Sequence, residues 1–326
     1  MRRLLLWLTV LALLLGGLWL GGESLLAREL RRYAAQEPAI QVGALHEMRR
    51  PGRIGVSAAG VELMLPAGRL ALPETELWLS PLHPTTLRLD LPASAAFDTG
   101  RGPRMLGLTD THASLRLRPL AGAEVGAFDT RSGPLTLDGA PLAKGFDARA
   151  DLAEPGIYDV TLTLRELAPE ALAVLLPLPG KLNLAARGRL WLDRTPSPLT
   201  LTPETMPLPV GLRLDGAELT LGRLSARIRG EIRADAQGRA EGVLAVYTPD
   251  ARPFLDAAAE AGLIPRKIVV LAGTMLRNIS ELPMPEAGMD FPASAAGELR
   301  LPLRMAEGKI SLGPLPLGPA PTFPRR

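Results

Sequence analysis

This sequence predicts an α+β, β-rich protein: an N-terminal transmembrane helix followed by extended, twisted antiparallel sheets with two or three short helices. Three observations carry that expectation. An apolar run opens the chain, from Leu4 to Leu20. From about Gln41 onward apolar residues recur with a period of two, the pattern of half-buried strands. Glycine (33) and proline (32) make up about a fifth of the 326 residues and divide the chain into many short elements.

Arg2 and Arg3 precede the apolar run, Gly21 and Gly22 close it, and Glu23 is the first carboxylate. As a helix, Leu4 to Gly22 spans roughly 28 Å, about one hydrocarbon thickness, whereas a cleavable signal has an apolar core of roughly 7–15 residues. The following Gly-Gly-Glu-Ser-Leu-Leu-Ala lacks small residues at the spacing a signal peptidase reads. Residues 1–22 therefore read as a retained anchor, with a cleaved signal as the alternative. Trp7 and Trp19 lie near the two ends, where indoles favour the headgroup boundary. Arg28, Arg31 and Arg32 compete with Arg2 and Arg3 over orientation. A three-residue head has no domain to translocate, so the N-terminus is expected inside and the bulk of the chain outside the cytoplasm. Beyond the paired arginines, nothing matches a twin-arginine export signal.

Residues 23–150 are expected to form a β-rich region with a leading amphipathic helix. Over Glu23 to Ala35, Leu25, Leu26, Leu30 and Tyr33 lie at helical spacing opposite Arg28, Glu29, Arg31 and Arg32. Alternation then takes over in Val61–Leu65, Leu87–Leu91, Leu115–Arg118 and Leu135–Asp138. Prolines 66, 73, 81, 84 and 92 separate the runs at intervals too short for crossover helices, which suits an antiparallel meander.

Residues 151–326 are expected to form a second β-rich region with proline-led helices, with strands at Tyr158–Leu164, Leu212–Leu214, Arg227–Arg233 and Leu299–Arg304. Pro169–Leu176 and Pro249–Leu263 each open with proline and an acidic residue, the chemistry of a helix start. Each follows a strand, so strand, proline-led helix and return strand recur about 80 residues apart. For Ile268–Asn278, periodicity does not separate a helix from a buried strand.

Composition narrows the function. Aromatic residues make up only 4%, so there is no supply of stacking rings for bases or sugars. The pI near 9.6 reflects 37 basic against 34 acidic residues with the signs interleaved, and no nucleic-acid-binding signature is present. Lysine occurs only at Lys144, Lys181, Lys267 and Lys309, an arginine bias that a GC-rich genome also produces. With no cysteine, disulfides, thiolate metal sites and cysteine nucleophiles are excluded, while the compartment stays open.

No catalytic, cofactor-binding or metal-ligating residue is assigned, and no cofactor is called for. His46, His83 and His112 are scattered without ligand spacing, and Gly55-Val-Ser-Ala-Ala-Gly60 is one residue too long for a nucleophile elbow. Phe97-Asp-Thr-Gly100 matches the aspartic-protease triplet, with Phe128-Asp-Thr-Arg-Ser-Gly133 as a broken second copy. Asp98 and Asp129 would have to share a proton, and two surface turns are the plainer explanation. Arg116, Arg118, Arg227, Arg229 and Arg233 on strands present a face that suits anionic headgroups or polysaccharide, or is simply solvated. The opposite leucine faces suit a lipid groove or a core.

A family resemblance rests on the anchor ending Gly-Gly-Glu-Ser, on Leu79-Ser-Pro-Leu-His-Pro84, on Gly216-Ala-Glu-Leu-Thr-Leu-Gly222 and on the closing Glu307–Leu317. Across nearly its whole length the chain resembles the domain of unknown function 2125 family of alphaproteobacterial envelope proteins. Its ending is also similar, more loosely, to AsmA-like inner-membrane proteins, which are associated with envelope lipid handling. The resemblance implies a compartment and an architecture, and transfers no catalytic residue.

The expectation is a single-pass inner-membrane protein, bulk periplasmic and non-enzymatic, that contacts or carries lipid. Its partners are the membrane and a lipid or envelope protein, with no nucleic acid. A periplasmic scaffold or protein-interaction module is the alternative, and an aspartic-type hydrolase the third.

Overall fold

The computed structural model describes residues 28, 40–48, 50–65, 68–169, 180–198, 200, 205–222, 224–260, 269, 275–284 and 289–325. Among them are nineteen strands, and every registered pairing is antiparallel. The anchor, the amphipathic segment apart from Arg28, and nearly all of the helix expected at Pro169–Leu176 lie outside the described residues. Among the described residues no helix is long and apolar enough to cross a membrane.

The chain divides into two compact units, residues 1–119 with 128–142, and residues 120–127 with 143–326. In the first, β1 (Ile40–Glu47), β2 (Ile54–Leu65) and β3 (Gly68–Ser80) form a meander. β3 then branches. Its first part, Arg69–Ala71, pairs with β5 (Ser94–Asp98), which leads to β6 (Pro103–Leu108) and β9 (Leu135–Leu137). Its last part, Glu76–Ser80, pairs with β4 (His83–Asp90), which leads to β7 (His112–Arg118). Pro73, with no N–H to give, sits in the stretch of β3 between the two ladders. Val61, Leu72 and Ala95 form the core, with Val42, Leu70, Leu106 and Leu108 packed around it. Trp78, 7% exposed, donates through Nε1 to Asp90 (2.7 Å) and lies under the Arg53 guanidinium, 4.1 Å from the ring centroid. β8 (Glu124–Ser132) and β10 (Ala140–Ala143) carry residues of both units.

The second unit is a nine-strand meander in sequence order. It comprises β11 (Gly145–Glu154), β12 (Ile157–Leu167), β13 (Leu182–Leu192), β14 (Pro209–Leu221) and β15 (Leu224–Ala234). β16 (Ala240–Thr248), β17 (Leu299–Ala306), β18 (Lys309–Leu312) and β19 (Leu315–Pro319) follow. Short turns set the registers. Between β17 and β18, Glu307 and Gly308 both take positive φ (54° and 74°), the type I′ geometry that matches strand twist.

The helix expected over Pro249–Leu263 is α1 (Arg252–Glu260). It is capped where the Asp250 side chain accepts the Arg252 N–H at 3.0 Å. Within Ile268–Asn278, where periodicity does not separate helix from strand, residues 269 and 275–278 are helical, and the helix continues to residue 280. Leu255, Leu276 and Ile279 from these helices close over Leu301, Leu312, Leu315 and Leu317. A further clamp lies at the β11–β12 end, where buried Tyr158 donates to the Val125 carbonyl (2.6 Å) and Ser197 Oγ to the Gly122 carbonyl (2.8 Å).

Candidate functional site

The β11–β17 ladder has two chemically opposite faces, because alternation along seven registered strands, re-phased at bulges such as that between Leu214 and Ala217, sorts the side chains between them. On one face the cross-strand rows are apolar throughout. One row runs Phe146, Leu164, Leu184, Leu219, Ala226. The next runs Ala148, Leu162, Ala186, Ala217, Ile228, Val246, Leu301. A third runs Ala150, Val160, Gly188, Leu214, Gly230, Leu244, Leu303.

At the β17 end this face is covered by α1 and residues 275–280, and Leu301 is 5% exposed. Over β11–β14, among the described residues, most of it is open. Phe146, Val160, Leu164, Leu184, Leu214 and Leu219 are only partly buried, and Leu162 is 38% exposed. Half-covered leucines forgo roughly 25 cal/mol for every Å² of apolar surface left in water, so a run of them is a surface that gains by being covered.

The other face is polar and rich in arginine. Asp151, Asp159, Arg189, Arg213 and Glu231 form one row, and Glu218, Arg227, Tyr247 and Arg300 another. Most of these charges are paired: Arg149 with Asp151 (2.5 Å), Arg189 with Asp159 (2.8 Å), Arg213 with Asp215 (2.9 Å) and Arg233 with Glu231 (2.6 Å). Arg227 holds Glu298 through two hydrogen bonds (2.6 and 3.2 Å) and lies over the Tyr247 ring, whose hydroxyl donates to the Pro292 carbonyl at 2.8 Å. Burial opposes ionisation of Glu298, but hydrogen bonds from Arg227 and from the Ala295 N–H outweigh it and hold the carboxyl below its ordinary value. Burial likewise pushes the Tyr247 hydroxyl up, against the pull of Arg300, Arg229 and Arg227. Two adjoining hollows, of about 580 and 730 Å³, open on this face and share Thr161, Arg187, Asp215 and Arg229 in their linings.

The residues singled out in the sequence separate into different settings. Arg227, Arg229 and Arg233 share β15, while Arg116 and Arg118 lie on β7 of the other unit. Asp98 Oδ1 accepts the N–H groups of Gly100 (2.8 Å) and Gly102 (3.2 Å), a turn-forming role, and no hydrogen bond among the described residues joins it to Asp129 on β8. Gly55–Gly60 lies within β2, where Ser57 Oγ donates to Glu74 at 2.8 Å. His46, His83 and His112 lie on β1, β4 and β7, and among the described residues no three His, Asp or Glu side chains converge on a metal-sized site. Arg149, Arg187, Arg189 and Arg213 were missed in the sequence. The same alternation that marked β15 would have found them.

The family described as an uncharacterised protein conserved in bacteria (DUF2125) matches the chain over residues 19–321. The likeness to AsmA-like proteins is not shown. No curated protein and no solved structure matches.

Proposed function

The chain belongs to the DUF2125 family of uncharacterised bacterial proteins, and from its own surfaces we propose a non-enzymatic envelope protein that contacts or carries lipid. The observation that supports this reading is the open apolar face over β11–β14, in which cross-strand rows of Leu, Val, Ala and Phe run without a polar interruption. Its chemistry is aliphatic and nearly free of aromatic rings, which suits acyl chains better than bases or sugars. In the same reading Leu4 to Gly22 anchors the chain in the inner membrane and delivers the sheet to the periplasmic side, so the face works next to a bilayer.

The full chain, extracted in mild detergent and analysed by mass spectrometry, is expected to retain phospholipid, and Leu162→Asp with Leu184→Asp to lose it. A preparation free of lipid that also ignores added phospholipid, or that retains another envelope polypeptide in its place, contradicts lipid carriage. Topology is tested separately. A reporter fused after Arg326 and active only in the cytoplasm would overturn the compartment.

A further inference from the structure

We propose that the polar hollow on the arginine face of β12–β15 binds a phosphate monoester group between Arg187 and Arg229. The argument starts from the charge pairing. Six arginines and four carboxylates line the two adjoining hollows, and with Arg300 and Glu298 beside them on this face the arginines outnumber the carboxylates by two. Arg149, Arg189, Arg213 and Arg227 each hold a carboxylate. Arg187 and Arg229 have no acidic partner among the described residues, and both belong to the lining that the two hollows share. Two of the arginines without an acidic partner therefore meet at one place.

Their strand positions bring them to the same point from opposite sides. Arg187 on β13 is registered with Gly216, and the ladder of β14 with β15 slips between Leu214 and Ala217, so the Asp215-Gly216 bulge lies between the two arginines. β13 and β15 are two strand spacings apart, roughly 10 Å, a gap that two arginine side chains span to reach one tetrahedral anion. The space over Gly216 in that gap is open, since a Cβ there would meet nothing within 4 Å.

Arg229 Nε is withdrawn from solvent and has no acceptor among the described residues, a costly state for a guanidinium N–H that an anion would relieve. Arg300 Nε on the same face is in the same state. Asp215 lies in the lining but is engaged by Arg213, and exposed Glu218 is registered opposite Arg227, so neither carboxylate neutralises the pair. Two free guanidinium charges call for a group carrying close to two negative charges. At neutral pH that is a phosphate monoester, with about −1.5 to −2, rather than a singly charged diester or carboxylate. This site lies on the opposite face from the acyl-contact surface and does not depend on it.

The test is calorimetric titration of the full chain in neutral detergent micelles. Inorganic phosphate is one titrant. Water-soluble dihexanoyl phosphatidic acid, compared with dihexanoyl phosphatidylcholine, is the other. Saturable one-to-one uptake that weakens roughly tenfold or more in both Arg187→Gln and Arg229→Gln, and far less in Arg149→Gln, is expected. Arg187 is exposed, so its replacement leaves the fold intact and keeps the result interpretable. Binding of inorganic phosphate identifies a soluble source, and binding of phosphatidic acid alone identifies a lipid headgroup. Uptake of neither, uptake that both variants retain, or equal binding of phosphatidylcholine overturns the proposal.

Discussion

Tyr158 shows how a single side chain ties two strands together in this protein. Its ring is 3% exposed and its hydroxyl donates to the Val125 carbonyl at 2.6 Å, while Val125 itself donates its N–H to Pro196 at 2.9 Å. Tyr158→Phe leaves a buried carbonyl short of a donor, and denaturant unfolding is expected to register a loss of about 1 kcal/mol. Asp98 carries a smaller version of the same role. Asp98→Ala removes the acceptor of the Gly100 and Gly102 N–H groups and is expected to cost up to about 1 kcal/mol, whereas Asp98→Asn keeps an acceptor oxygen and is close to neutral. Equal destabilisation by the two would contradict the turn role.

The acid limb of stability also belongs to individual residues. Glu298 ionises below its ordinary value when folded, and Glu166 does so because Lys144 and Lys181 both hydrogen-bond its carboxylate. A carboxyl depressed in the folded state lends stability that is complete above its unfolded pKa and is lost as pH falls through the folded one. The melting temperature is therefore expected to be level down to about pH 5 and to fall below about pH 4, less steeply in Glu298→Gln. An unchanged slope in that variant would remove Glu298 from the account.

At the level of strands and helices, the close approach of β13 to β14 depends on Gly188. A Cβ there would lie 1.9 Å from the Arg213 carbonyl oxygen, a contact that backbone cannot relieve without parting the strands. Gly188→Ala is expected to destabilise by more than about 2 kcal/mol, and an unaltered melting temperature would show the approach to be looser than described. Strands such as Tyr158–Leu164 and Arg227–Arg233 were legible because alternation is local, and α1 because the Pro249-Asp250 start is local too. Register was not legible. The slip at Asp215-Gly216 that places Arg187 opposite Arg229 is a relation between three strands, and no run of residues announces it. The branching of β3 was hidden for the same reason: Pro73 reads as a separator between strands, yet it lies inside one strand between two partners.

Over the whole molecule, the sequence indicated faces of opposite chemistry, and the structure adds which part of the apolar face is covered. Helical residues from the β16–β17 connection bury Leu301, while Leu162, on the same row, stays 38% exposed. That asymmetry is the basis of the lipid reading. Alternation along β12 also supplies an internal control, since adjacent Thr161 and Leu162 point to opposite faces. A photo-crosslinking amino acid placed in the full chain at Leu162, and separately at Thr161, and irradiated in living cells, tests the reading directly. The account predicts acyl-lipid adducts from position 162 in large excess over those from position 161. No adduct at 162, or equal labelling from both positions, would contradict it.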